Sequence, residues 1–210
     1  MTAREAPRTL VLATRSHHKR AELVALLHLP HTRLLTLDEL GITDEPVEDG
    51  PTFRANALLK ARFYGRLTGL PTLADDSGLE VDALDGGPGV RTRRYAGEQA
   101  TDEDNNRKLL AALDGLSATR RGARYVCSLV FLADAATGGP PLVRTATFTG
   151  RIADAPRGTG GFGYDPIFEP STEPPGGRTV GLLSAAEKNA VSHRAKAARA
   201  MGVALRAAGY

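Results

Sequence analysis

The sequence predicts an α/β fold, because short apolar runs typical of buried strands alternate along the chain with helical patterns. Residues 9–13 and 33–37 form the first two β-prone runs. A helix with Leu23, Leu26 and Leu27 on one face follows the first run, and a helix over about 52–67 follows the second. At 210 residues, we expect residues 1–210 to form a single domain, with or without two lobes.

Composition indicates a soluble enzyme or binding protein rather than a membrane protein or a strongly cationic one. The net charge is +3 and the pI about 9.2, which suits an anionic small molecule as well as nucleic acid. Cys127 is the single cysteine and lies in an apolar run, so no disulfide forms within the chain and a reducing compartment is favoured. The apolar run at 10–13 is too short for a signal or membrane segment, and we predict a cytoplasmic location.

The polar loop between the first strand and its helix is a candidate phosphate site. Free backbone N–H groups and the positive end of the dipole favour an anion at a helix start. Thr14 and Ser16 offer hydroxyls there and Lys19 a charge, although Ser16 in an alternative interpretation only caps the helix. His17 and His18 suggest a metal, but no third ligand follows at a zinc-site spacing.

The helix over 52–67 carries a lysine on its apolar face. The face comprises Phe53, Asn56, Ala57, Lys60 and Tyr64. A lysine that faces the core needs a phosphate or a carboxylate as its partner; the alternative is a side chain that reaches back to solvent. The acidic loop at 45–51, which includes Glu48, precedes this helix directly.

Two aspartates mark the end of the next predicted strand. Residues 71–76 read as a short strand that ends in Asp75 and Asp76, and Ser77-Gly78 is expected to turn the chain. Adjacent strand residues point to opposite faces, so one aspartate should face the site and the other support it. Together with Glu48 this pair is a candidate Mg²⁺ site; a plain turn is the alternative.

The stretch at 158–166 contains four glycines, two aromatic residues and Asp165. Glycine admits backbone conformations closed to other residues and lets a ligand approach the main chain. Phe162 and Tyr164 offer flat apolar faces, and the acid accepts hydrogen bonds. The combination suits a nucleobase; the alternative is a glycine-rich hairpin with a core phenylalanine.

The remaining elements close the predicted fold. A capping box at 101–104 opens a helix through Leu113, and residues 125–132 and 142–149 read as strands. A second capping box at 184–187 opens one last helix toward Gly209, with an apolar stripe that includes Val191, Ala198, Met201 and Leu205. Lys188, His193 and Arg194 would then lie near the start of one helix; a solvated basic face is the alternative.

Several of these segments, in order, resemble the inosine triphosphate/xanthosine triphosphate pyrophosphatase family. They are Ala-Asp-Asp-Ser-Gly-Leu at 74–79, Gly-Gly-Phe-Gly-Tyr-Asp-Pro at 160–166 and Ser-His-Arg at 192–194, supported by 12–19, 53–61, 94–97 and 187–194. The resemblance implies a mixed twisted sheet with flanking helices, two lobes around a long active-site cleft, a homodimer, and Mg²⁺-dependent release of pyrophosphate.

The resemblance also implies roles for individual residues. Asp76 looks like the catalytic carboxylate and a metal ligand, with Glu48 as the second metal ligand. The phosphate-side contacts are then Thr14, Arg15, Ser16, His17, His18, Lys19, Lys60, Ser77 and Lys188. The base-side contacts are Phe162, Gly163, Tyr164, Asp165, His193 and Arg194. The family's usual Thr-Gly-Asn-x-x-Lys reads Thr-Arg-Ser-His-His-Lys at 14–19, so this chain lacks one glycine and one amide contact.

We therefore predict a hydrolase that cleaves non-standard purine nucleoside triphosphates (ITP, dITP, XTP) to the monophosphate and pyrophosphate. Its partner would be the purine nucleotide, with no stable nucleic-acid complex and no membrane. The alternative is a non-catalytic purine-nucleotide-binding regulator on the same fold. A basic RNA-binding module is disfavoured by the modest charge and the absence of an RNA-binding signature.

Overall fold

A mixed six-stranded sheet with flanking helices forms the framework of the computed structural model, which describes residues 7–135 and 139–210. The strands lie in the order β2-β1-β3-β4-β5-β6. Their bounds are β1 Arg8–Ala13, β2 Thr32–Thr36, β3 Thr72–Val81, β4 Gly122–Leu132, β5 Leu142–Ile152 and β6 Phe168–Pro170. Strand β1 runs parallel to β2 and β3, whereas β5 and β6 are antiparallel. The predicted α/β class and mixed sheet are confirmed.

Three helices of the described ranges begin directly after residues that the sequence indicates as caps, Ser16, Thr101 and Ser184. The helices of this part of the chain are α1 His17–Leu27, α2 Phe53–Thr68, α3 Asp102–Ala112, α4 Ala185–Val191 and α5 His193–Ala207. Both predicted capping boxes form: Thr101 with Asp104 and Ser184 with Glu187 exchange side-chain and backbone hydrogen bonds. None of the helices in the described ranges is long and apolar enough to span a bilayer.

The chain divides into two compact units. The first consists of the chain up to Asp76, Ser128–Thr145 and Ala197–Tyr210; the second consists of Ser77–Cys127 and Ala146–Lys196. Each has its own buried core. The first core includes Val11, Ala57, Ala61, Tyr64, Ala74 and Val130. The second includes Leu79, Val81, Leu109, Tyr125, Ile167 and Phe168. The cleft between lobes implied by the resemblance stays a prediction.

Strand β3 corrects one expectation. The predicted turn at Ser77-Gly78 is wrong, because the strand continues without interruption to Val81. Leu79 and Val81 are both fully buried in the core of the second unit, and burial of these alternating side chains extends the strand. Asp75 and Asp76 therefore lie within a strand and not at its end.

The last predicted helix is wrong as a single element, because the structure breaks it into α4 and α5 at Ser192. This residue is extended, with φ −64° and ψ 159°, and its Oγ accepts a hydrogen bond of 3.2 Å from Ala195 N. Ser192 thus ends one helix and caps the next. Val191 is 39% exposed and leaves the apolar stripe, whereas Ala198, Met201 and Leu205 are fully buried.

Candidate active site

Five charged side chains form a lysine–carboxylate cluster in the first unit, consisting of Lys19, Glu48, Lys60, Asp75 and Asp76. Lys19 comes from α1, Lys60 from α2, Glu48 from the loop before α2, and both aspartates from β3. Asp75 is 1% exposed and Asp76 9% exposed. Charged groups so deeply buried require partners, and the lysines supply them.

Lys60 joins two of these carboxylates. Its Nζ lies 2.9 Å from Glu48 Oε2 and 3.7 Å from Asp76 Oδ1. Burial opposes the charge on Lys60, but the attraction of Asp76, Asp75 and Glu48 outweighs it and raises the pKa of the ammonium group. The prediction that this core-facing lysine has a carboxylate or phosphate partner is confirmed.

The two aspartates face different partners, as the alternation of a strand predicts. Asp75 Oδ2 lies 3.1 Å from Lys19 Nζ. Asp76 Oδ2 instead accepts a hydrogen bond of 3.1 Å from Asn56 Nδ2. Burial raises the pKa of the Asp76 carboxyl, and the neighbouring Lys60 and Lys19 ammonium groups offset part of that rise. A carboxylate in this state accepts a proton more readily than one in water.

The loop at 14–19 mostly bonds to the protein itself. Ser16 Oγ accepts a hydrogen bond of 3.4 Å from Lys19 N and so caps α1, as the simpler interpretation holds. Arg15 donates to the carbonyl oxygens of Ile42 and Asp44, each at 3.0 Å, and pairs with Glu45 at 2.6 Å. Its guanidinium therefore secures the neighbouring loop.

Of the other side chains of this loop, Thr14 is partly buried, whereas His17 and His18 are exposed. Thr14 Oγ1 accepts a hydrogen bond of 3.3 Å from Ser16 N. The substrate contacts assigned to this loop stay a prediction.

The donor set of the lysine–carboxylate cluster fits magnesium. In the described ranges, no three His, Cys, Asp or Glu side chains lie close enough together to hold a metal by themselves. Glu48 and Asp76, however, both approach the same ammonium nitrogen. Mg²⁺ is usually bound by one or two carboxylates and completes its shell with water and substrate phosphate oxygens. Two carboxylates that both approach the Lys60 ammonium group match that requirement.

A second group, the glycine-loop cluster, lies in the second unit and consists of Phe162, Asp165, Lys188, His193 and Arg194 with Tyr125 and Ser77. Asp165 is 3% exposed. Its carboxylate accepts from Phe162 N at 2.9 Å, Tyr125 OH at 3.2 Å and Lys188 Nζ at 2.7 Å. Asp165 therefore fixes the shape of the glycine loop from inside.

Glycine is needed at two positions of this loop. Gly161 has φ +76°, and a Cβ there would overlap the Asp165 carboxylate. Gly163 has φ +62°; its N–H donates to Asp102 Oδ2 at 2.7 Å and its carbonyl accepts from Asn106 Nδ2 at 3.1 Å. Glycine adopts the left-handed conformation at both positions with little strain, whereas other residues do not. At Gly161 the close approach of Asp165 also leaves no room for a side chain.

Two cations lie against the Phe162 ring. Lys188 Nζ is 4.3 Å and the Arg194 guanidinium carbon 5.7 Å from the ring centroid. Arg194 is 1% exposed and donates to Ser77 Oγ at 2.7 Å. The structure thus places Lys188 and Ser77, both assigned to phosphates from the sequence, with the candidate base-side residues of the second unit.

The two remaining base-side candidates, His193 and Tyr164, pack against other residues of the second unit. His193 stacks on Tyr125 with ring centroids 4.8 Å apart and an angle of 7° between the planes. Tyr164 is 2% exposed and donates to Thr92 O at 2.8 Å, so its side chain belongs to the core. Burial raises its pKa, with Tyr95 and Asp102 adding to the effect.

The sequence interpretation did not assign site roles to Asn56 or Tyr125, which contact Asp76 and Asp165 respectively. Asn56 was detectable in principle, because a polar residue four positions before Lys60 on an apolar face needs hydrogen-bond partners. Tyr125 gives no such signal, since a tyrosine in a strand is ordinary.

Comparisons with known proteins identify one family. The model of the Ham1 family matches residues 10–203. The dITP/XTP pyrophosphatase of Methylococcus capsulatus is 47% identical over 200 residues, covering 95% of this chain and 97% of the relative. That of Geobacter sulfurreducens is 48% identical over 189 residues, covering 90% and 92%. The solved structure of a HAM1 protein from Coxiella burnetii is 38% identical with a TM-score of 0.86, covering 95% and 99% of the chains.

Proposed function

The protein belongs to the Ham1 family, and we propose that it hydrolyses ITP, dITP and XTP to the nucleoside monophosphate and pyrophosphate, which removes non-standard purines from the nucleotide pool. The observation that carries this function is the buried lysine–carboxylate cluster, in which Lys60 joins Glu48 and Asp76. Relatives that align over nearly their whole length carry the name dITP/XTP pyrophosphatase.

In the proposed reaction, the first unit handles the phosphates. Lys19 and Lys60 bind phosphate oxygens and hold the triphosphate in line with an attacking water. Asp76 orients that water and accepts its proton as the oxygen bonds to the α-phosphorus. The bond from this phosphorus to the bridging oxygen of the β-phosphate breaks, and pyrophosphate leaves.

We assign a magnesium ion to Glu48 and Asp76, because both carboxylates approach the same ammonium nitrogen, that of Lys60. When bound, Mg²⁺ supplies positive charge that offsets the charge developing on the leaving pyrophosphate. Glu48 and Asp76 would hold the ion, and Lys60, which lies between them, would bind the phosphate oxygens.

The second unit supplies the groups assigned to the purine. Phe162 offers an aromatic face, and Arg194 carries donors only. ITP and XTP have a carbonyl oxygen at position 6, which accepts from such a donor, whereas ATP has an amino group that cannot. The three hydrogen bonds to Asp165 keep the Phe162 loop in one conformation for this recognition.

We further propose that the chain acts as a homodimer in the cytoplasm and forms no stable complex with nucleic acid or membranes. The homodimer is inferred from the family resemblance, and sedimentation equilibrium of the purified protein tests it: a single species of about 22 kDa, the mass of one chain, would contradict it.

The deciding experiment for the activity is pyrophosphate release from ITP, XTP and ATP with Mg²⁺ and with excess chelator. We expect release from ITP and XTP with Mg²⁺, little from ATP, and none when the metal is removed. Absence of release at any metal concentration, with ITP binding intact, would instead support a nucleotide-binding regulator.

A further inference from the structure

Asn56 connects the Asp76 carboxylate to the loop that carries Glu48 through a single amide. The residue lies on α2 and is 1% exposed. Its Oδ1 accepts a hydrogen bond of 2.8 Å from Gly50 N, and its Nδ2 donates one of 3.1 Å to Asp76 Oδ2. A backbone N–H only donates and a carboxylate only accepts, so these partners also fix which way the amide points.

The first of these bonds acts on the backbone that carries Glu48, two residues before Gly50. Residues 43–50 have no regular secondary structure. At the other end of this loop, Asp44 O accepts from Tyr64 OH at 3.2 Å and from Arg15 Nη2 at 3.0 Å. The Glu48 backbone therefore lies between two attachment points, and Asn56 provides the nearer one.

The second bond fixes the Asp76 carboxylate. With Oδ2 held by Asn56, Oδ1 is the oxygen that lies 3.7 Å from Lys60 Nζ. Rotation of the carboxylate would break the bond to a buried amide, which costs the desolvation of that amide. Asn56 thus sets both the orientation of Asp76 and the place of the Glu48 loop.

Gly50 supports the same conclusion independently. A Cβ at this position would lie 2.6 Å from Asn56 Oδ1 and 2.9 Å from Ala55 Cβ. The loop therefore approaches the amide more closely than any larger residue would permit, and the contact depends on glycine.

From this geometry we infer that Asn56 is a positioning residue that sets the separation of Glu48 and Asp76 for a divalent cation. The inference rests on the proposed function, because it takes Glu48 and Asp76 as the metal carboxylates. Loss of groups that orient metal ligands commonly costs about tenfold to a hundredfold in metal affinity.

The test measures Mn²⁺ binding to the nucleotide-free protein by electron paramagnetic resonance of the free ion. We expect Asn56→Ala to raise the Kd for Mn²⁺ by about tenfold to a hundredfold. We expect Gly50→Ala to raise it in the same direction, since the added methyl group displaces the amide. This second variant changes a partly exposed loop and serves if Asn56→Ala does not fold.

Asn105 provides the matched control. It is 2% exposed, and its amide likewise joins two groups, Ala96 N at 2.8 Å and Arg93 O at 2.9 Å, but it lies in the second unit. Asn105→Ala should lower the thermal midpoint as Asn56→Ala does, yet leave the Kd for Mn²⁺ unchanged.

The outcomes separate the inference from the proposed function. If wild type binds Mn²⁺ and both Asn56→Ala and Gly50→Ala bind it equally well, the positioning role is wrong while the metal site stands. If wild type binds no Mn²⁺, either alone or with a non-hydrolysable ITP analogue, yet releases pyrophosphate, both the metal assignment and the inference are overturned while the activity survives.

Discussion

Arg194 donates a hydrogen bond of 2.7 Å from Nη2 to Ser77 Oγ, although the two residues are 117 positions apart in the chain. Ser77 follows Asp76 directly in β3, so the guanidinium is joined to the strand that carries the candidate catalytic carboxylate. Arg194 is also 1% exposed. A buried guanidinium held in one orientation is suited to discriminate between ligands by hydrogen bonding.

We predict that Arg194→Ala lowers the preference for ITP over ATP, because the proposed partner of Arg194 is the carbonyl oxygen at position 6. A mispaired buried donor costs ~1–3 kcal/mol, which is about fivefold to over a hundredfold in kcat/KM. The measurement is kcat/KM for inosine, xanthosine, guanosine and adenosine triphosphates in both proteins.

The control for this substitution is Arg121→Ala. Arg121 is 5% exposed and donates to the carbonyl oxygens of Ile152 and Ala153 at 3.0 Å, so its loss also removes a buried guanidinium from the second unit. It should lower stability and keep the ITP/ATP ratio. An unchanged ratio in Arg194→Ala would show that another group recognises position 6.

We predict that Asp76→Asn abolishes turnover while nucleotide binding largely survives. The amide keeps the volume of the carboxylate but accepts no proton, and proton transfer typically contributes about 10²- to 10⁴-fold to the rate. Single-turnover kinetics with ITP and equilibrium binding of ITP in chelator check the two halves of this expectation.

Asp75→Asn is the companion variant, because Asp75 is the adjacent buried carboxylate and pairs with Lys19 at 3.1 Å. We expect it to raise KM more than it lowers kcat. Near wild-type kcat in Asp76→Asn, together with a large loss in Asp75→Asn, would exchange the roles of the two residues.

The elements that the sequence predicted well depend on local interactions. Both capping boxes form because their partners are three residues apart. The burial of Lys60 was predicted because Lys60 lies three or four residues from apolar positions on the same face of its helix. By contrast, Asp165 is held by Tyr125 and Lys188, which are 40 and 23 positions away. No periodicity reports such contacts.

The two errors in the predicted elements have a common cause. The Asp-Ser-Gly sequence in β3 is typical of a turn, but the burial of Leu79 and Val81 overrides that local preference. The break at Ser192 was missed because the apolar spacing continues across it, whereas in the structure Ser192 is extended and Val191 is exposed.

We predict that Glu187→Gln reduces the loss of stability on acidification. Hydrogen bonds from Ser184 N and from Arg178 lower the pKa of Glu187 from 4.5 to about 2. A depressed folded-state pKa contributes stability that is present above pH 4.5 and is lost as the pH falls toward 2. The variant lacks this contribution, so its unfolding free energy should change less between pH 6 and pH 3.

Urea unfolding at several pH values within this window measures the effect. Glu103→Gln, at an exposed position in the first turn of α3, serves as the control and should follow the wild-type pH dependence. Identical pH dependence in wild type and Glu187→Gln would show that the negative charge of Glu187 does not stabilise the folded state.

Finally, we predict that Lys19→Ala and Lys60→Ala weaken binding of a triphosphate much more than binding of the monophosphate. Both ammonium groups lie against carboxylates in the first unit. The β- and γ-phosphates of a triphosphate carry charged oxygens that a monophosphate lacks, and these can form charge-assisted hydrogen bonds with the lysines. A charge-assisted hydrogen bond contributes ~1.5–3 kcal/mol, so each loss should be about tenfold to over a hundredfold for ITP. Isothermal titration with IMP and with a non-hydrolysable ITP analogue at fixed Mg²⁺ compares the two ligands.

Lys196→Ala is the matched control, because this exposed lysine donates to Thr147 O at 3.1 Å in the second unit. It should leave both affinities unchanged. Equal losses for IMP and the ITP analogue in the Lys19 and Lys60 variants would mean that these lysines do not contact the outer phosphates, and that their charges serve the buried aspartates alone.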